Sequence, residues 1–142
     1  MKTSESKYSN CLYFTSNSLA RKIEKLALES WKKVDLSPSH AYLLMMVIEN
    51  PGVQPGYISD HLQLTPSTVT RLIEKLESKK LVVRTTEGKI SNVYATPKGK
   101  EMLPKLRECS IEFQSNCSNV FGKEETTKLV QTINKNADKI NL

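Results

Sequence analysis

Two Thr-Pro dipeptides, Thr65-Pro66 and Thr96-Pro97, bracket the segment that most constrains how this chain can fold. Threonine before proline favours a helix start. The hydroxyl accepts a first-turn amide, and proline presets φ where an N–H would have no partner. After the first dipeptide, "LTPSTVTRLIEKL" sets Val69, Leu72, Ile73 and Leu76 at i, i+3, i+4 and i+7. That spacing predicts one buried helical face over residues 66–79. "LVVRT" (81–85) and "NVYAT" (92–96) follow. Their Val, Tyr and Thr content predicts two short strands, with Glu87-Gly88 as the hairpin tip. The second Thr-Pro then starts another helix.

The flanks read as helices. Over residues 8–33, Leu12, Leu19, Ile23 and Leu26 form one stripe. Ser37-Pro38 is a third capped start, and "AYLLMMVI" (41–48) is apolar nearly all round, the mark of a helix buried on most sides. "ENPGVQPG" (49–56) is a loop, a short helix spans about 55–62 with Ile58 and Leu62 inward, and "LQLT" is a tight connection. Downstream, Met102, Leu106, Cys109, Phe113, Cys117 and Val120 keep helical spacing. Pro104 should kink that helix or delay its start. Gly122 separates it from a last helix carrying Leu129, Ile133, Ala137 and Ile140. The fold class is mainly α with a small β-hairpin wing (α+β). Its centre, helix–turn–helix–hairpin, is the winged-helix arrangement, which docks its second helix in a DNA major groove.

Composition narrows the function. The 142 residues carry 38% hydrophobic and 25% charged side chains, the profile of a globular chain with its own core. Net charge is +6. A surplus of four cations lies in residues 53–100 and none in 101–142. A local basic surplus attracts polyanions. "MKTSESKYSN" lacks the apolar stretch of a signal peptide and no apolar run reaches the length of a membrane span, so a cytoplasmic, membrane-free protein is expected. Three cysteines and two histidines without ligand spacing give no support for a metal, and no cofactor motif occurs. No nucleophile–base pair, Gly-rich phosphate loop or carboxylate pair suggests an enzyme.

The 66–79 helix has an unusual polar side. Acids normally gather in a first turn, where the helix dipole favours them. Here the first acid is Glu74. Ser67, Arg71, Glu74 and Ser78 point away from the apolar stripe, flanked by Thr68, Thr70 and Lys75. Small hydroxyls allow close approach to a groove, and helix N-terminal amides bind phosphate. Arg71 has the two donors that match guanine O6 and N7, while Lys75 suits phosphate. Thr65 and Pro66 complete the approaching edge. A capped surface helix would explain the start alone. The preceding short helix, the hairpin and the local charge together favour DNA.

"LQLTPSTVTRLIEKLESKKLVVR" (62–84) and "YATPKGKEM" (94–102) resemble the MarR family (multiple antibiotic resistance regulators) in the order and spacing of the recognition helix, "L-V-x-R" and "T-x-x-G". The resemblance extends over the whole chain. It implies one domain, 1–142, with a DNA-binding lobe at about 36–100. Residues 1–35 and 101–142 would form helical dimerisation regions. It further implies a homodimeric repressor on a pseudo-palindromic double-stranded DNA operator, and it adds Arg84 to the DNA-facing set. Two departures stand out. Where many members carry Asp-Arg-Arg in the wing, this chain has Glu87-Gly88-Lys89, so Lys89 takes the approach to phosphate or the minor groove, a weaker fit there than Arg. Lys80 replaces the usual glycine before the strand, at some cost if the backbone there is left-handed.

The family also implies a small aromatic or phenolic effector in a cleft between the dimer helices and the DNA-binding lobe. Tyr13, Asn17, Trp31, His40 and Met45 are the candidate lining residues, although Trp31 and Met45 equally suit a plain core and His40 a local hydrogen bond. "NCLYFTSNSLAR" resembles the first-helix region of the hydroperoxide-sensing branch, which makes Cys11 a candidate redox residue beside Tyr8 and Tyr13. A lone helical cysteine is more often an inert small hydrophobe. The competing reading is a winged-helix module that binds other proteins.

Overall fold

Proline and hydroxyl residues start most of the helices. The computed structural model describes residues 1–141. After a 3₁₀ turn at Thr3–Glu5 come α1 (Leu12–Trp31), a 3₁₀ turn (Lys32–Val34), α2 (Pro38–Glu49), α3 (Pro55–Leu62) and α4 (Pro66–Ser78). Strands β1 (Val82–Glu87) and β2 (Ile90–Ala95) lead to α5 (Pro97–Glu101), α6 (Leu103–Phe121) and α7 (Lys123–Ala137). Proline opens α2, α3, α4 and α5, and the side chains of Ser37, Thr65 and Thr96 accept the amides of His40, Thr68 and Gly99. Each cap satisfies a donor that the helix leaves without a partner. Pro104 delays the regular start of α6, which begins at Leu103 after α5 ends.

The core is centred on α2. Leu43, Leu44 and Val47 are fully buried with Trp31 of α1, Ile58 of α3, Val69, Ile73 and Leu76 of α4, Val82 and Val93 of the hairpin, and Leu106 and Cys109 of α6. The predicted buried face of α4 is therefore the observed one. The strands pair antiparallel from Val82–Ala95 to Glu87–Ile90. Val53 adds an isolated bridge to Val93, so the loop before α3 holds the base of the hairpin. The architecture is a winged helix flanked by longer helices.

Several boundaries differ from expectation. α1 begins at Leu12 rather than near residue 8, because residues 2–11 form turns, with the Cys11 amide donating to Tyr8 O. The hairpin is longer than expected. Glu87 pairs with Ile90, leaving Gly88-Lys89 as a two-residue turn rather than a tip at Glu87-Gly88. Gly88 has φ +63°, which a two-residue hairpin turn requires at its first position. Continuing the ladder through polar Thr86 and Ser91 satisfies backbone groups that a wider loop would leave to water. α7 ends at Ala137, so Ile140 lies beyond the helix in a tightened turn, its amide donating to Ala137 O.

The end of α4 explains two sequence oddities. Lys80 N donates to Glu77 O and Leu81 N to Leu76 O, both at 2.9 Å. This is the Schellman arrangement, with Lys80 in the left-handed position at φ +61° where glycine is preferred. The chain then enters β1 against α5. Thr96 N donates to Leu81 O at 3.0 Å, and Thr96 Oγ1 donates to Lys80 O at 2.7 Å. Gly99 lies directly over that carbonyl, so close that a Cβ there would stand 2.2 Å from Leu81 O. "T-x-x-G" is thus a cap and a close approach in one turn.

Two substitutions should move stability in opposite directions. Gly99→Ala drives a methyl into backbone rather than a flexible side chain, and should cost about 1–3 kcal/mol or more. Lys80→Gly relieves the left-handed lysine and should gain up to about 1 kcal/mol. Urea denaturation midpoints of both variants against wild type check the pair.

Candidate nucleic-acid interface

The two ends of α4 have opposite characters. At the N-terminus a hydroxyl cluster closes on itself. Thr65 Oγ1 lies 2.9 Å from Thr68 Oγ1 and 3.2 Å from Ser67 Oγ, and Thr70 Oγ1 donates to Pro66 O at 3.0 Å. The cluster fixes the first turn without filling it with bulk. Thr65, Pro66, Ser67, Thr70, Arg71 and Lys75 are exposed and Thr68 is half-buried. Arg71 makes a single long contact, Nη2 to Thr68 Oγ1 at 3.4 Å, and among the described residues it forms no ion pair. The structure therefore brings Thr65, Pro66, Ser67, Thr68, Thr70 and Arg71 together on one edge, with Lys75 a turn further on.

At the C-terminus the charges are used internally. Lys79 Nζ meets Asp35 Oδ2 at 3.0 Å, and Lys98 Nζ donates to Lys79 O at 3.1 Å. The hydrogen bond and charge of Lys79 lower the Asp35 carboxyl below its ordinary range. Arg84 Nη2 meets Glu77 Oε1 at 2.8 Å. Arg84, grouped by sequence with the DNA-facing residues, is thus bound to the recognition helix. Lys89 is exposed in the two-residue turn at the wing tip. Glu77 and Asp35 had no signal in the sequence, because each is brought to its partner by the turn geometry at one end of α4 or of the second 3₁₀ turn.

The effector candidates scatter. Tyr13 is 80% exposed on the first turn of α1, where its carbonyl accepts from Asn17 Nδ2 at 2.7 Å. Trp31 is fully buried, packed edge-on to Tyr42 and tilted against Phe113, and its indole N–H has no partner among the described residues. It is a core residue of the single chain. Met45 lines a cleft between α2 and α3 with Tyr42, Tyr57 and His61, which holds none of the other four. His40 bonds Ser37 through Nδ1 at the start of α2. Cys11 is exposed and caps α1 rather than lying within it. Among the described residues no group of His, Cys, Asp and Glu could hold a metal, and no helix is long and apolar enough to cross a membrane.

The apolar stripes of the outer helices are only partly absorbed by the chain's own core. Leu106, Cys109 and Cys117 are buried, but Leu12, Ile111, Val120, Val130 and Ile133 remain exposed, and α7 has no buried residue. The exposed ones lie on α1, α6 and α7.

A family model described as the MarR family matches residues 34–89, the span from the second 3₁₀ turn to the wing tip. The uncharacterized HTH-type transcriptional regulator YybA of Bacillus subtilis (strain 168) is 26% identical over 127 residues, covering 85% of each chain. Two solved structures of the transcriptional repressor CouR superpose closely. One is bound to a 23-mer DNA duplex (TM-score 0.81, 19% identity, 96% of this chain and 98% of that one). The other is bound to p-coumaroyl-CoA (TM-score 0.84, 18% identity, 98% of this chain and 100% of that one).

His40 gives this region a pH dependence. Burial, followed by the charges of Lys75 and Lys79, lowers its pKa below the ordinary 6.5. The unfolded chain then takes up a proton at a pH where the folded chain does not, so stability is full above 6.5 and falls as the pH drops through it. His40→Asn should make the denaturation midpoint less sensitive between pH 7.5 and 5.5 than in wild type.

Proposed function

We propose that the chain, whose residues 34–89 match the MarR family model, is a winged helix-turn-helix transcriptional regulator of that family, and that it acts as a homodimeric repressor of a pseudo-palindromic operator. In this reading α4 enters the major groove by its N-terminal half. The observation that carries it is the open first turn: exposed hydroxyls, an arginine that forms no ion pair among the described residues, and no acid. Helix amides and dipole favour phosphate there, and Arg71 can present two donors to one guanine. Lys75 and the wing-tip Lys89 would supply phosphate contacts. The exposed faces of α1, α6 and α7 would join the two copies. Two half-sites would then lie one helical turn of DNA apart, about 34–36 Å.

A small aromatic or phenolic effector would release the operator, as the likeness to a repressor bound to p-coumaroyl-CoA suggests. It would act only through a difference in affinity between the DNA-spaced and released arrangements. Tyr13, Asn17, His40 and Met45 would meet such a molecule only where the second copy completes the cleft. Exposed Cys11 is the residue through which an oxidant would act, and a Cys11→Ser variant that responds to peroxide as wild type does removes it from consideration.

Titration against the duplex upstream of the chain's own gene tests the main reading. Arg71→Ala should cost about 1–3 kcal/mol at the specific site and relax preference at one base pair. Lys75→Ala should weaken all sequences alike and lower the salt slope by about one. Equal affinity for specific and scrambled duplex, unchanged by Arg71→Ala, would sink it in favour of a protein-binding module.

A further inference from the structure

The Arg84–Glu77 pair sits where the wing leaves the body of the protein. Arg84 is opposite Val93 in the hairpin, two pairs beyond Val82–Ala95 and so on the Val82 face of β1. Val82 and Val93 are buried, so this face of the hairpin is turned to the body. Val93 is also where the bridge to Val53 ends. Beyond it, residues 85–92 make no hydrogen bond or ion pair with the rest of the protein among the described residues. The 2.8 Å contact is therefore the outermost polar tie between wing and recognition helix. Both side chains are about one-third exposed, 32% and 31%, so water screens the pair only in part. Glu77 is itself fixed, because its carbonyl accepts the Lys80 amide in the Schellman turn.

We propose that Arg84 is a positioning residue that acts through Glu77, setting the angle between wing and α4 and so the step of the flanking groove that the Gly88-Lys89 tip reaches. The inference rests on the reading that α4 and the wing bind one duplex. It assigns Arg84 a role different from phosphate contact. An arginine already neutralised by a carboxylate releases few counterions, while the part of the hairpin beyond the anchored Val82 and Val93 carries its tip along the groove for a small bend of the ladder. Glu77 thereby becomes a specificity residue although it carries the wrong charge to touch DNA.

The two roles separate experimentally. Operator affinity and hydroxyl-radical footprints of full-length protein are compared for wild type, Arg84→Ala, Glu77→Gln, the double variant, and the exchanged pair Arg84→Glu with Glu77→Arg. Positioning gives a loss on the order of tenfold for each single variant. The double variant is no weaker than either single, the exchanged pair recovers most of the affinity, and protection fades at the outer flanks while the α4 sites stay protected. Direct phosphate contact gives the reverse: Glu77→Gln binds as well as wild type or better, and the exchanged pair stays as weak as Arg84→Ala. That result, or affinities and footprints unchanged while only the denaturation midpoint falls, overturns the inference. Wild-type protein that binds no duplex overturns the DNA-binding reading and this inference with it. Loss confined to Arg84 variants overturns this inference alone.

Discussion

The contact between Gly99 and the Leu81 carbonyl is the point on which the DNA-facing half of the molecule depends. Backbone meets backbone there, with no room for a Cβ. Because α5 can come that close, Thr96 can hold both Leu81 O and Lys80 O. Because those carbonyls are held, α4 must end in a left-handed residue and turn straight into β1. Lys80 accepts that conformation although it is a lysine. One tight approach thus fixes where the recognition helix stops, where the wing starts, and the direction in which each leaves the core.

From this fixed end a division of charge follows. Lys79 and Arg84 lie next to the anchored turn and are paired with Asp35 and Glu77. Arg71 lies toward the other end and is bound only by one long contact to a hydroxyl. A helix held at its C-terminus by the hydrogen bonds of the Schellman turn and of Thr96, and open at its N-terminus, is anchored where it joins the body and accessible where its amides point outward. That asymmetry suits a ligand that is both rigid and negative. Stiffness also matters for groove readout, since bidentate base contacts lose their discrimination when the donor's position is loose.

Local chemistry was legible in the sequence, and chemistry made by turns was not. The starts at Ser37-Pro38, Thr65-Pro66 and Thr96-Pro97 were readable because cap and helix are neighbours in sequence. The apolar stripe of α4 was readable because burial follows helical period. The start of α1 falls later than the 8–33 reading because residues 8–11 precede the apolar stripe and sit in turns. The hairpin is longer than its composition predicts because Glu87 and Ser91 carry no strand-like signal, although the ladder recruits them. Arg84 was grouped with the DNA-facing residues by its place in a motif. Its partner, seven residues earlier, reaches it only through the Schellman turn, a geometry no spacing rule reveals. The effector candidates lie on two helices, α1 and α2, and in the single chain they do not line one cleft.

In the proposed dimer, a second chain would cover the outer helices. α7 has fifteen residues and none buried, a length at which an isolated helix is marginal in water. Its exposed Val130 and Ile133, with Ile111 and Val120 of α6 and Leu12 and Tyr13 of α1, would gain their stability from association. In the proposed dimer, the same contacts that order α7 would set the distance between the two recognition helices. Each α4 meets the junction of α1 and α2 at its C-terminus, where Lys79 pairs with the exposed Asp35. A shift of the outer helices would reach the DNA-facing edge through the core that α1, α2 and α4 share. An effector would need only to favour one spacing by differential affinity: about 5.5 kcal/mol reverses a 1:99 equilibrium to 99:1, and much less suffices when the two spacings start nearly balanced.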